Sequence, residues 1–211
     1  MKCIVVVALG SIAAAGAAIF NKHGARALPS NGPANPGVRD ERQTAESRLN
    51  ATPLKLPLVN PRIVVRKSAR ELTLFAGESA VRVYRVGLGF DPEGDKARQG
   101  DGRTPEGSFY VCVKNASSRY YLSLGLSYPN KEHAERGLRG GLITRAQHDR
   151  IVRALEMRAR PPWDTPLGGE VFIHGNGSSR DWTFGCVALE DRDMKELFDA
   201  VPKGAPVVIK P

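Results

Sequence analysis

Short runs of alternating apolar and polar residues begin after Pro61, and they constrain the fold more than any other feature of the sequence. Three of them follow in quick succession, at Ile63–Val65, Glu71–Phe75 and Ala80–Val86. A period of two residues is typical of β-strands with one buried face. Ala76-Gly77-Glu78 joins the second run to the third, which predicts a β-hairpin. The folded part of the chain is therefore expected to be rich in strands.

The remaining segments predict further strands with helices between them. Thr144–Arg160 has apolar residues at helical spacing and ends before Pro161, and Asp191–Val201 carries a similar apolar stripe. Further strands are predicted at residues 108–113, 120–127, 170–174 and 205–210. The predicted fold class is mainly β with inserted helices.

The first 20 residues have a different composition. One lysine is followed by an uncharged stretch from Cys3 to Phe20, a pattern typical of an export signal or of an uncleaved membrane anchor. Residues 21–57 are rich in Pro, Gly, Asn and Ser without a sustained period, so they are predicted to form a flexible linker. The expected organisation is a signal peptide or anchor at 1–20, a linker at 21–57 and a folded domain at 58–211. An exported protein of the periplasm or cell envelope is expected, either released or held at the inner membrane.

The chain is basic, with 31 Lys and Arg against 22 Asp and Glu and a net charge of +9. Such a balance favours polyanionic neighbours, which include nucleic acid, anionic lipid and an acidic cell-wall polymer. Charge alone does not choose among them. A content of 41% hydrophobic and 25% charged residues excludes a wholly disordered chain and a polytopic membrane protein.

His174 and Cys186 are the candidate catalytic pair. His174 ends an apolar strand, and Cys186 follows Gly185 twelve residues later, after a loop long enough to fold back and bring the imidazole beside the thiol. A cysteine nucleophile needs such a partner because the thiolate reacts and an ordinary thiol pKa lies near 8.5. The N–H groups of Gly185 and Cys186 could then face a developing oxyanion.

Each member of the pair also has a structural interpretation. A lone cysteine in an apolar run is usually a small buried side chain. Cys112 is expected to be buried and inert in its strand, although it and Cys186 could instead pair. The other histidines lie in the linker or the helical insert, and no Cys-x-x-Cys occurs, so no metal site is predicted.

At these residues the sequence resembles the L,D-transpeptidase (YkuD-like) family of cell-wall cross-linking enzymes. His174-Gly175 and Thr183-Phe184-Gly185-Cys186-Val187 match the family's His-Gly and Ser/Thr-x-Gly-Cys elements. The family's G-x-T-P-x-G turn is matched by Gly102-Arg103-Thr104-Pro105-Glu106-Gly107, and residues 123–130 also resemble the family's sequences. The resemblance covers roughly Pro61 to Lys210 and implies a YkuD-like catalytic domain with a β-sandwich or mixed sheet.

The resemblance implies acyl transfer on peptidoglycan stem peptides. Cys186 would form a thioester, with His174 as general acid and base, oriented by the carbonyl of Gly175 or, alternatively, by Asp181. Gly185 would contribute to the oxyanion site, and Thr183 would steady the turn before the nucleophile. The candidate substrate-binding residues are Arg103, Thr104, Tyr128, Arg180 and Trp182. No cofactor is implied, nucleic acid is not an expected partner, and carbapenem-type β-lactams are the expected covalent inhibitors.

Other functions remain open at this stage. A related thiol hydrolase would resolve the same thioester with water, and a non-catalytic basic wall-binding domain would need no thiol chemistry. Sortase-like transpeptidation is disfavoured because those enzymes set His and Cys tens of residues apart. Many family members have His or Arg where this chain has Phe184, and Arg or Asn where it has Ala188, so polar substrate contacts must come from elsewhere.

Overall fold

The computed structural model describes residues 47–211. The signal or anchor predicted at residues 1–20, and the linker as far as residue 46, lie outside the described residues. Residues 47–51 are helical. Within the described part of the chain, every helix is too short or too polar to cross a membrane.

Eight strands form a single sheet, which confirms the prediction of a mainly β domain. The three runs that follow Pro61 in sequence all become strands, including both arms of the predicted hairpin. The strands are β1 (Pro61–Arg66), β2 (Glu71–Ala76), β3 (Ser79–Arg85), β4 (Gly107–Ser118), β5 (Tyr121–Leu126), β6 (Phe172–His174), β7 (Val187–Ala188) and β8 (Pro206–Lys210).

The sheet is mixed, and its last strand in sequence lies near its middle. The order across the sheet is β3-β2-β1-β8-β4-β5-β6-β7. β8 pairs in parallel with β1 and β7 pairs in parallel with β6, whereas the other neighbouring strands are antiparallel. β8 therefore joins the half made of β1 to β3 to the half made of β4 to β7.

The two edges of the sheet also meet. Gly87, just after the edge strand β3, exchanges two backbone hydrogen bonds with Ala188 of the opposite edge strand β7, at 2.9 and 2.8 Å. Gly89 bridges to Thr183 in the same region. The two-residue strand β7 is thus held from both sides, and the backbone next to Cys186 is fixed by elements far away in sequence.

Three helices are inserted between the strands. They are α1 (Lys131–Arg139), α2 (Arg145–Glu156) and α3 (Asp191–Ala200). The helices predicted at 144–160 and 191–201 are confirmed, although α2 ends at Glu156. Helix α1 was not predicted, because its sequence lacks an apolar stripe. Asn130 caps it by accepting the N–H of His133.

The main core lies between the sheet and α3, and a smaller cluster lies under α1 and α2. Met194 and Leu197 of α3 are fully buried against the sheet. Cys112 is buried as predicted, its thiol donating to the carbonyl of Gly125 at 3.4 Å. Burial raises the pKa of the Cys112 thiol to about 11. Cys112 and Cys186 are both free, so the alternative of a disulfide between them is excluded.

Part of the segment predicted as linker contacts the domain. The buried guanidinium of Arg82 pairs with Glu196 and donates to the carbonyls of Leu49 and Thr52, at 2.7 and 2.5 Å. The side chain of Asn50 pairs with both backbone polar groups of Val83 on the edge strand β3. The chain is therefore tied to the domain several residues before the predicted boundary at residue 58.

Candidate active site

The parallel pairing of β6 with β7 brings the two predicted catalytic residues into the same region, offset by two residues along the strands. His174 is the last residue of β6 and pairs with Ala188, and Ile173 pairs with Val187. Cys186 comes one residue before β7, where its sulfur accepts the N–H of Phe172 at 3.4 Å. The loop between them folds back as the sequence predicts.

The thiol of Cys186 is neutral in this arrangement. It donates to the carbonyl of Glu170 at 3.6 Å. Burial raises the pKa of the Cys186 thiol to about 11, and the hydrogen bond from the Phe172 N–H and the Lys96 ammonium offset only part of that effect. The carbonyl of Cys186 accepts the hydroxyls of Thr183, at 2.8 Å, and Thr104, at 3.4 Å. The backbone of the nucleophile is therefore fixed, while its sulfur is held only by weak contacts.

His174 is a buried, neutral base with a defined tautomer. Only 2% of its surface is exposed. Burial lowers the pKa of His174, and the hydrogen bond to the Gly175 carbonyl offsets part of that lowering. Nδ1 lies 2.7 Å from the carbonyl oxygen of Gly175, the orienting group that the resemblance implies. Because a carbonyl can only accept, Nδ1 carries the proton and Nε2 is left as the acceptor.

Two aromatic rings hold the imidazole, and sequence analysis missed one of them. Tyr120 stacks on His174 with ring centroids 4.7 Å apart, and Trp182 meets it edge-on at 5.7 Å. The Trp182 indole N–H donates to the carbonyl of Gly177 at 3.1 Å, so the indole packs within the site. Tyr120 lies at the turn before β5, where no local pattern marks it as part of a site.

Within residues 47–211, no hydrogen bond joins the thiol of Cys186 to the ring of His174. The thiol is turned towards Glu170 and Phe172 instead. Hydrogen bonds of catalytic groups are often long or misaligned in unliganded sites and tighten only with substrate. Proton transfer to Nε2 therefore requires the thiol to rotate away from Glu170.

The two sequence motifs pack directly on each other. Gly185 has φ +124°, and a Cβ at this position would lie 2.6 Å from the carbonyl oxygen of Arg103. Thr104, which is fully buried, accepts the N–H of Gly89 at 2.9 Å in addition to contacting Cys186. The G-x-T-P-x-G turn thus packs against the backbone of Gly185 and Cys186. Thr104 contacts Cys186 through the backbone carbonyl and not through the thiol.

Thr183 organises the turn before the nucleophile. Its hydroxyl accepts the N–H of Gly185 at 3.1 Å and donates to the carbonyl of Cys186. This matches the steadying role that the resemblance implies. The oxyanion contact predicted for the Gly185 N–H would require that hydrogen bond to break.

Several predicted residues lie apart from the pair. Tyr128 is fully buried in the core and donates to the carbonyl of Leu167 at 3.1 Å, so the structure does not bring its hydroxyl to the site. Arg103 is partly exposed and pairs with Asp91 at 2.9 Å. Arg180 is exposed, with its carbonyl beside Gly87.

Asp181 does not orient His174. It pairs with Arg70 at 2.8 Å and accepts the N–H of Leu88 at 2.9 Å. The carboxylate ties the loop before Cys186 to the strand region around β3. Of the two orienting acceptors considered for His174, the structure places the Gly175 carbonyl, and not Asp181, against the ring.

An exposed aromatic pair borders the nucleophile. Phe184 is 78% exposed and meets Phe90, which is 52% exposed, edge-on with ring centroids 5.5 Å apart. The place that is polar in many family members is thus apolar here. As for metals, residues 47–211 contain no group of three or more His, Cys, Asp or Glu side chains that could hold an ion.

Replacing Gly185 by alanine is expected to destabilise the site strongly. The new Cβ would meet the Arg103 carbonyl in a conformation that L-residues rarely adopt, at an expected cost of more than about 2 kcal/mol in the free energy of unfolding. Gly100→Ala is the matched control, because φ is +79° there but nothing lies within 4 Å of the added Cβ. It should cost about 1 kcal/mol. Denaturant unfolding compares the two, and equal costs would contradict the close contact.

Comparison with known proteins identifies the family of the domain. Residues 60–209 match the L,D-transpeptidase catalytic domain, YkuD. No curated protein matches the sequence significantly.

Among solved structures, a mutant of the helical cell shape determining protein Pgp2 from Campylobacter jejuni is similar, with 19% identity and a TM-score of 0.50 over 84% of this chain and 58% of that one. The L,D-transpeptidase from Xylanimonas cellulosilytica DSM 15894 has 16% identity and a TM-score of 0.43, over 80% of this chain and 69% of that one. LD transpeptidase LdtMt1 in complex with imipenem has 16% identity and a TM-score of 0.41, over 71% and 58%. The likeness to Pgp2 bears on the fold alone, and the match over residues 60–209 settles the family: the chain belongs to the L,D-transpeptidase catalytic-domain family.

Proposed function

We propose that this protein is a cysteine-dependent acyltransferase acting on peptidoglycan stem peptides. The observation that carries the proposal is the neutral His174, whose Nδ1 is fixed on the Gly175 carbonyl and which lies on the strand paired in parallel with β7, the strand that directly follows Cys186. A base with a free Nε2 next to a cysteine is what thiol-based acyl transfer requires.

In the first step, the Cys186 sulfur attacks the carbonyl that joins the third stem residue, an L-centre of a diamino acid, to D-alanine. The thiol proton moves to Nε2 of His174 and then to the nitrogen of the leaving D-alanine. The carbon–nitrogen bond breaks, and a thioester remains on Cys186. In the second step, an amine of another stem attacks the thioester and gives its proton to His174, which returns it to the departing sulfur.

Water can replace the amine in the second step, which would make the protein an L,D-carboxypeptidase or endopeptidase. Because the Cys186 thiol is only half-buried and the neighbouring Phe184 is exposed, both water and an amine can approach the thioester. Product identity therefore decides between transfer and hydrolysis.

The test is incubation of the protein with purified muropeptides, followed by mass spectrometry of the protein and of the products. Transfer predicts a stem-peptide thioester on Cys186, release of D-alanine and cross-linked dimers. Hydrolysis predicts D-alanine release without dimers. A carbapenem should give a stable adduct at Cys186, and the absence of both the thioester and the adduct would favour a non-catalytic wall-binding domain.

We also propose that the protein works in the cell envelope. The composition of residues 1–20 supports export or anchoring at the inner membrane. Fractionation of cells, with sequencing of the mature N-terminus, distinguishes a cleaved signal from a retained anchor.

A further inference from the structure

A buried lysine lies beside the candidate nucleophile, in the loop between β3 and β4. Lys96 is 3% exposed, and its ammonium donates to Asp101 at 2.7 Å. Its Nζ is 3.6 Å from where a Cβ on Gly185 would stand, so it adjoins the residue that precedes Cys186. Removing a lysine ammonium from water is costly, and a surface loop could expose it instead. The burial of Lys96 beside Cys186 therefore points to a role at the site.

The carboxylate that pairs with Lys96 offsets the charge of the ammonium only in part, because Lys96 still lowers the pKa of the Cys186 thiol. Asp101 also accepts the N–H groups of Ala97, Arg98 and Arg103. Burial raises the pKa of Asp101, but the hydrogen bonds from Lys96 and from the backbone outweigh it and lower the pKa overall. The loop backbone thus shares the stabilisation of the carboxylate with the ammonium, and it fixes both charged groups in place.

The other charged groups around Cys186 do not stabilise the thiolate. Glu170 raises the pKa of the thiol, and His174 is neutral because burial lowers its pKa. Arg103 is partly exposed and paired with Asp91. Two groups lower the pKa of the Cys186 thiol: the N–H of Phe172, which donates to the sulfur, and Lys96, which is the charged one of the two.

We propose that Lys96 is a positioning residue for Cys186, whose buried ammonium stabilises the negative charge that forms on the sulfur when its proton leaves. The inference rests on the proposed function in taking Cys186 as the nucleophile. Negative charge on a half-buried sulfur is otherwise unfavourable, and a fixed cation lowers that cost without taking part in proton transfer. Lys96 and Asp101 lie in the turn that leads into the G-x-T-P-x-G motif. This segment would then have an electrostatic role at Cys186 in addition to its packing role.

The test measures the rate at which iodoacetamide alkylates Cys186 in the full chain between pH 6 and pH 10. Peptide mass spectrometry separates Cys186 from Cys112 and Cys3. Lys96→Met is expected to shift the profile to higher pH by about one unit, so that alkylation at pH 8 is about tenfold slower. Lys96→Arg keeps the charge and should retain most of the rate. The alkylation assay needs no peptidoglycan, so it tests the role of Lys96 independently of the proposed function. Failure to find a transfer product with muropeptides would count against the proposed function alone.

Two further variants separate an electrostatic effect from damage to the loop. Lys67 is equally buried and donates to Gly94, Thr104 and Glu106 of the same loop. Lys67→Met should lower the unfolding temperature without moving the pH profile. Asp101→Asn removes the negative partner and should move the profile to lower pH, opposite to Lys96→Met. The proposal is overturned if Lys96→Met and Asp101→Asn shift the profile in the same direction, or if Lys96→Met behaves like Lys67→Met.

Discussion

Replacing Cys186 by serine is expected to reduce thioester formation with muropeptides by more than about 10³-fold, to the detection limit. A hydroxyl is far less acidic than a thiol, and the site offers a buried neutral histidine rather than a strong base. The backbone around the residue should be unaffected, because its carbonyl contacts with Thr183 and Thr104 do not involve the side chain. Intact-protein mass spectrometry after incubation with substrate or a carbapenem measures the effect.

Cys112→Ala is the matched control for this variant. Cys112 is a buried thiol in β4, and burial raises its pKa to about 11, the same value as for Cys186. Burial thus raises the thiol pKa of both cysteines, and what distinguishes Cys186 is its position beside the His-Gly and G-x-T-P-x-G motifs. Cys112→Ala should keep most of the activity, and loss of turnover in this variant with the fold intact would require a role shared between the two thiols.

Replacing His174 by glutamine is expected to slow acylation of Cys186 at neutral pH by about 10² to 10⁴-fold, the range for a lost general acid and base. In the native protein, burial places the pKa of His174 below its usual value and that of Cys186 at about 11. Acylation should therefore rise as the pH increases through the lowered pKa of His174, and remain level across neutral pH. Without the imidazole the thiol must ionise alone, so the rate should climb with pH towards 11.

His148→Gln is the control, since His148 lies on α2 and pairs with Asp149. It should leave the pH profile of acylation unchanged. A profile of the His174→Gln variant that runs parallel to the native one would mean that another group accepts the thiol proton. The His-Gly element would then be structural.

The parts of the fold that were predictable are those with a strong period. The hairpin β2–β3, the strand β8 and the helix α3 all show alternating or helical apolar patterns, and each forms close to the expected residues. Helix α1 escaped prediction because its buried residues are His133, Ala134 and Gly137, which do not read as an apolar stripe. Its local signals are the capping residue Asn130 and the charges at its ends, Glu132 in the first turn and Arg136 and Arg139 in the last. Strand β7 has two residues, and its existence depends on pairing that no local pattern encodes.

The candidate site divides in the same way. Cys186 and His174 stood out because glycines flank them at the ends of apolar runs. Lys96 and Tyr120 did not, because their positions depend on how loops distant in sequence pack around the pair. Tyr128 was a wrong expectation for the site: sequence places a tyrosine next to a strand end but does not give its depth, and the side chain is fully buried.

The central position of β8 has a consequence for biosynthesis. The halves of the sheet on either side of β8 are paired through it, yet it follows every other strand in the chain. A growing polypeptide can form the β1–β3 meander early, but it cannot complete the sheet until residues 206–210 have left the ribosome. Contacts between residues so far apart in sequence form slowly. The half of the sheet that carries His174 and leads to Cys186 can therefore be joined to the β1–β3 half only after the last strand of the chain is in place.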